Sequence, residues 1–146
     1  MSKMSKKAVV ITMVLLMVLS GSAWAGWFSF EPNMLLLDGT RVALKLEDIE
    51  KEVAFLQKGD MEHADQLVND NKVFVIKTGR DLTRVKFLDY KEENDGNTYI
   101  EVKDESGNKY WAEMSGLACE LDGKKENITK QELLKGEFKP LSETIQ

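Results

Sequence analysis

Apolar and polar positions divide the chain into three regimes. The first 25 residues begin basic, with Lys3, Lys6 and Lys7, and then run uncharged from Ala8 to Leu19. Ser20, Gly21 and Ser22 end that run, and Ala23-Trp24-Ala25 follows as a small-x-small cleavage pattern. This is the order of a secretory signal peptide cut between Ala25 and Gly26. The competing reading is a retained anchor, but a spanning helix needs roughly 20 apolar residues, more than Ala8 to Leu19 supplies.

The second regime predicts a hairpin and two helices. Met34 to Leu37 and Arg41 to Leu46 flank Asp38-Gly39-Thr40, and Asp-Gly between apolar runs signals a hairpin. Val42, Leu44 and Leu46 alternate with polar or small neighbours, as on a half-buried strand. The period then changes. Leu46, Ile49, Val53 and Leu56 draw one helical stripe. Glu47, Asp48 and Glu50 crowd its start, where the helix dipole favours acids, and Lys58-Gly59 closes it. Asp60 caps a second helix through Asn69, with Met61, Ala64, Leu67 and Val68 on one side.

From Asn71 the pattern is strand-like. Val73–Lys77, Thr83–Tyr90, Thr98–Lys103, Lys109–Met114 and a short apolar run to Leu121 are separated by turns. The turns are Thr78-Gly79-Arg80-Asp81, Asn94-Asp95-Gly96-Asn97, Asp104–Asn108 and Ser115-Gly116. Val85, Phe87, Ile100 and Val102 face the core, whereas Tyr99, Glu101 and Lys103 face outward. Thr129-Lys130-Gln131-Glu132 is a capping box that opens a helix to about Lys135. Glu137 to Gln146 reads as a frayed tail. The predicted fold is mostly β with added helices (α+β), a small five-stranded barrel with an N-terminal hairpin-helix addition. The division is a leader at 1–25, a linker at 26–33, one domain at 34–121 and a helix with tail at 122–146. Within the domain, 34–70 is hairpin and helices and 71–121 is the barrel.

Composition narrows the function. The 146 residues carry 20 basic and 25 acidic side chains, and loss of the three leader lysines leaves a balance of −8. Phosphate binding needs a basic patch, so no nucleic-acid partner is expected. One Cys excludes a disulfide framework and a cysteine-rich zinc site. In an oxidising compartment Cys119 is either buried or paired with another chain. The single histidine, His63, has Glu62 and Asp65 beside it, but such short steps do not share a helical face. It is read as a surface residue. Asn94–Asn97 has calcium-like composition without the twelve-residue loop and its closing Glu. No metal, cofactor or catalytic residue is predicted, and no enzyme.

Residues 72–121 resemble the bacterial Src-homology-3-like small barrels of exported envelope proteins. The resemblance lies in Val73-Phe74-Val75-Ile76, in Thr83 to Leu88 and in the hairpin Tyr99-Ile100-Glu101-Val102 to Lys109-Tyr110-Trp111-Ala112. A Ser106-Gly107 turn and the Ser115-Gly116-Leu117 step complete it. The paired tryptophans and proline of a proline-rich peptide groove are absent. The resemblance implies a non-catalytic binding module for an envelope protein or peptidoglycan.

If Asp104–Asn108 is the loop, Glu101 faces Trp111 and Tyr99 lies diagonal to Trp111. Tyr99, Glu101, Trp111 and Glu113 then form a candidate ligand patch, because aromatics bring large contact area at low entropy loss. The alternative is that the helix from Leu46 covers that face. The expected location is the bacterial periplasm or the medium, after leader removal. Trp27, Phe28 and Phe30 would sit near the new N-terminus, packed on the domain or dipped into a membrane surface. The rival role is a membrane-tethered assembly subunit held by an uncleaved leader. The intact mass of the protein isolated from an exporting bacterial host decides this. A chain beginning at Gly26 is expected, and one retaining Met1 to Ala25 would favour the tether.

Overall fold

Residues 30–77 and 83–145 are described in the computed structural model. The leader, its cleavage point, Trp27, Phe28 and the turn at 78–81 lie outside them. Phe30 is half-buried, and Glu31–Gln146 forms one compact unit. Eight strands and three α-helices occur among the described residues. The strands are β1 (Met34–Leu36), β2 (Arg41–Ala43), β3 (Phe74–Val75), β4 (Arg84–Glu92), β5 (Thr98–Lys103), β6 (Lys109–Glu113), β7 (Leu117–Leu121) and β8 (Lys124–Asn127). The helices are α1 (Leu46–Gln57), α2 (Met61–Asn69) and α3 (Lys130–Lys135), and a 3₁₀ turn spans Met114–Gly116. All strand pairs are antiparallel, in the order β3-β2-β6-β5-β4-β1-β7-β8. The architecture is therefore mixed α+β around a curled sheet that approximates a half-barrel, with eight strands where the sequence predicts five.

The predicted hairpin at 34–46 is corrected. The Asp38-Gly39 turn forms, with Gly39 at φ 83° and the Thr40 amide donating to the Leu37 carbonyl at 3.0 Å. Yet β1 and β2 do not pair. β1 lies between β4 and β7, and β2 lies between β3 and β6. The turn is a corner that carries the chain from one half of the sheet to the other. A second corner, the 3₁₀ turn, does the same between β6 and β7, and the two are bonded together. The Gly116 carbonyl accepts from the Leu37 amide at 2.9 Å and from Thr40 Oγ1 at 3.0 Å.

Alternation places one face of the sheet inside. Met34, Leu36, Val42, Val85, Ile100, Val102, Ala112, Leu117 and Cys119 line this core, as the pattern of β4 and β5 predicts. The bulge between Phe87 and Asp89 bends the long β4, as bulges do in closing sheets. α1 and α2 cover the other face through a second core of Ala43, Ile49, Leu67, Val73 and Tyr99. Fully burying Ile49 contributes about 1.5–3 kcal/mol, which anchors the centre of the apolar stripe on α1.

The chain after Leu121 is more ordered than its composition suggests. Asp122 (φ 53°) and Gly123 (φ 78°) make a primed turn, from which β8 returns along β7. The capping box at Thr129 and Glu132 is present, and Ile128 and Leu133 enter the first core. The frayed tail is also corrected. Arg84 donates to the carbonyls of Ser142 and Glu143, each at 3.2 Å, and to that of Ile145. The Leu141 amide donates to the Pro32 carbonyl at 2.8 Å, and Phe138 packs on Phe87.

The corner leaves no room for a methyl group at Gly116. A Cβ there would lie 2.5 Å from Thr40 Cγ2, and Thr40 cannot swing away without losing its bond to Gly116. Gly116→Ala is expected to destabilise the fold by about 1–3 kcal/mol. A urea melt of both proteins would show a lower midpoint with an unchanged slope.

Candidate functional site

The predicted patch assembles in register and is then covered. Glu101 lies opposite Trp111 and Tyr99 opposite Glu113, so the four side chains share one sheet face. Tyr99 is fully buried and Trp111 partly buried, both packed with residues of α1 and α2. The covering-helix alternative describes this face. Tyr99 donates its hydroxyl proton to Asp95 Oδ2 at 3.0 Å. Burial first, and Asp95 second, hold the phenol above its ordinary range. Glu101 is half-buried and stays on the strand face. Glu113 stands apart, because it ends β6 and its Oε1 accepts from the Ser115 amide at 3.1 Å and from the Ser115 hydroxyl.

Glu113 lines a cleft that the sequence pattern does not single out. The cleft lies between α1 and the two bonded corners and encloses about 360 Å³. Thr40, Arg41, Glu113 and Ser115 come from the sheet side; Ile49, Glu52 and Val53 come from α1. Sites for small ligands run from about 300 to 1,000 Å³, so this cleft fits one side chain or head group. A second hollow of about 460 Å³ beside β3 is lined mainly by Val42, Leu44, Phe74, Val75 and Ile76. It is larger, and Lys77, Asn108 and Tyr110 complete its lining.

Glu52 is the exceptional group in the cleft. It is 0% exposed, although buried carboxylates are rare without full pairing. Arg41, on β2, donates through Nη1 to Glu52 Oε2 and through Nη2 to Asp65 Oδ1 of α2 at 3.4 Å. Oε1 of Glu52 is out of contact with solvent and has no hydrogen-bond partner among the described residues. The ion pair is asymmetric. Arg41 is held above its usual range, chiefly by its bond to Glu52. Glu52 is also raised, because loss of water outweighs the attraction of Arg41. Periodicity holds the missed signal. Glu52 is three residues after Ile49 and four before Leu56, so it faces the same way as that stripe.

Other candidate groups are committed elsewhere. His63 Nδ1 bonds Asp60 Oδ2 at 2.7 Å, and its ring stacks on Phe55. It is exposed on α2, as the sequence suggests. Cys119 is buried, with burial as the main cause raising its thiol to about 11. Its Sγ donates to Glu132 Oε2 at 3.7 Å. Among the described residues no helix is long and apolar enough to cross a membrane. No family model, curated protein or solved structure matches the chain.

Glu52 gives stability a definite pH trend. With its folded value raised, the unfolded chain releases the proton first. Folding is therefore penalised increasingly as pH rises from the ordinary glutamate range through the folded value. The melting temperature of Glu52→Gln, relative to the parent, is expected to rise as the pH is raised from the ordinary glutamate range. Calorimetry at several pH values checks the sign, and a relative fall would contradict the asymmetry described for the ion pair.

Proposed function

We infer that this chain is a non-catalytic binding module of the bacterial envelope whose ligand site is the corner cleft. The single observation that carries the reading is Glu52, a fully buried carboxylate lining the cleft with one oxygen unpartnered. Leaving such a group unsatisfied costs about 1–3 kcal/mol or more, which a ligand with donors would offset. A groove flanked by Ile49 and Val53 and furnished with Arg41, Glu52, Glu113 and Ser115 is the mixed apolar and polar lining that recognition sites use.

Two further features support the class. The order β1, β4, β5, β6, 3₁₀ turn and β7, with β1 pairing both β4 and β7, agrees with a Src-homology-3-like barrel. In that view β2, α1, α2 and β3 form a long excursion between its first two strands. Export rests on the basic, apolar and small-residue order of the leader. The partner is a protein of the envelope, with peptidoglycan as the second class. The non-catalytic reading is supported by the site's carboxylates being taken up in an ion pair (Glu52) and in a turn cap (Glu113).

Photo-crosslinking tests the site. A benzophenone amino acid replaces Gln57, which is exposed at the cleft, and Lys125 on β8 serves as the control. In cells exporting the full chain, an adduct identified by mass spectrometry is expected at position 57 and not at 125. Equal labelling from both positions, or none at 57, would overturn the placement of the site.

A further inference from the structure

The chemistry of the cleft narrows its ligand, given the reading that the cleft is a binding site. Two carboxylates, Glu52 and Glu113, line the cleft with one cation, Arg41. Arg41 is already divided between Glu52 and Asp65. The local balance is therefore negative, and the group without a partner, Glu52 Oε1, accepts hydrogen bonds when ionised. An anionic or acceptor-only ligand would meet repulsion and leave that oxygen empty. A neutral apolar ligand would fill the cleft and leave it empty too. A cationic donor satisfies both demands through a charge-assisted bond.

Shape selects among cations. Ile49, Val53 and Leu56 make one wall apolar, so the charge should arrive on a hydrocarbon stem, as in the snorkelling side chains. About 360 Å³ suits one such stem and head. Glu52 lines the cleft while Arg41 holds its Oε2, so a donor that reaches the floor of the cleft has the remaining oxygen, Oε1, as its acceptor.

We propose that the corner cleft binds a primary alkylammonium group on a short apolar stem, with Glu52 as the buried acceptor and Glu113 as the second carboxylate. Two sources present this chemistry, a lysine side chain of a protein partner and the free amine of a diamino acid in a peptidoglycan stem peptide.

The test uses the ¹⁵N-labelled full chain titrated with n-butylammonium chloride and, separately, with n-butanol of the same stem. Saturable shifts of the Thr40, Val53 and Ser115 amides are expected with the ammonium. The alcohol should bind about tenfold more weakly or less well still, as loss of one charge-assisted bond implies. Glu52→Gln should abolish that preference. If that variant does not fold by circular dichroism, Glu113→Gln should weaken ammonium binding instead. Equal binding of alcohol and ammonium, or no saturable shift, overturns the proposal. A blocked Gly-Lys-Gly peptide and a muropeptide with a free amine then separate the sources by which shifts the same amides more strongly. A crosslink from position 57 without ammonium binding would remove this ligand class alone. Failure of both would remove the site.

Discussion

The fold turns on the carbonyl of Gly116. It receives the Leu37 amide and the Thr40 hydroxyl together, and so ties the two corners at which the chain leaves one half of the sheet and enters the other. Each corner is short, and Leu36, Met114 and Leu117 beside the corners pack in or against the first core. The ladders β6–β5, β5–β4 and β4–β1 already join the β2–β6 and β1–β7 pairs into one sheet, and these two bonds add a direct tie between the corners. The tie holds the two halves of the curled sheet together beside the first core. Backbone contact this close requires a residue without a side chain at 116.

The helical layer depends on that corner in turn. α1 begins three residues after Ala43, the end of β2, so its path over the outer face starts from the direction the corner gives β2. Ile49 and Leu67 then pack on Tyr99, and the Arg41 guanidinium reaches both Glu52 of α1 and Asp65 of α2. Apolar packing supplies the attraction, but it is indifferent to small shifts of a helix along a sheet. The forked bond from one arginine to two helices is directional. Its buried partner retains one unsatisfied oxygen, a feature that packing alone would select against.

What was legible in the sequence was local. α1, α2 and α3 follow from stripes and caps within single segments, and the register of β5 with β6 follows from the length of the Asp104–Asn108 turn. Pairings set by distant groups were not legible. Asp38-Gly39 announces a reversal but cannot say which strands it joins, and here they join different neighbours. β8 is Lys-Lys-Glu-Asn, wholly exposed, so no apolar alternation marks it, although Asp122-Gly123 carries the turn signal. The tail is held by backbone carbonyls that meet Arg84, a partner 58 residues away for Ser142, and composition is blind to that. Glu52 was hidden because an acid on a helix is ordinarily solvated. Only its phase relative to Ile49 and Leu56 gave it away.

The same reasoning explains why the aromatic patch and the cleft are different places. Tyr99 and Trp111 are large, and a curled sheet with one closed face offers them burial on the other only if something covers it. The excursion between β1 and β4 supplies that cover, and its two helices are amphipathic for this reason. Once covered, the aromatics become core, and the open space lies where the cover meets the corner. There the polar backbone of the 3₁₀ turn and the end of β6 prevent a dry seal, and the carboxylates of Glu52 and Glu113 face a space that neither helix nor sheet fills. A packed domain tolerates an unsatisfied buried acid at such a seam more readily than inside either core. There, no ligand could reach it, and its desolvation would be a loss with nothing to offset it.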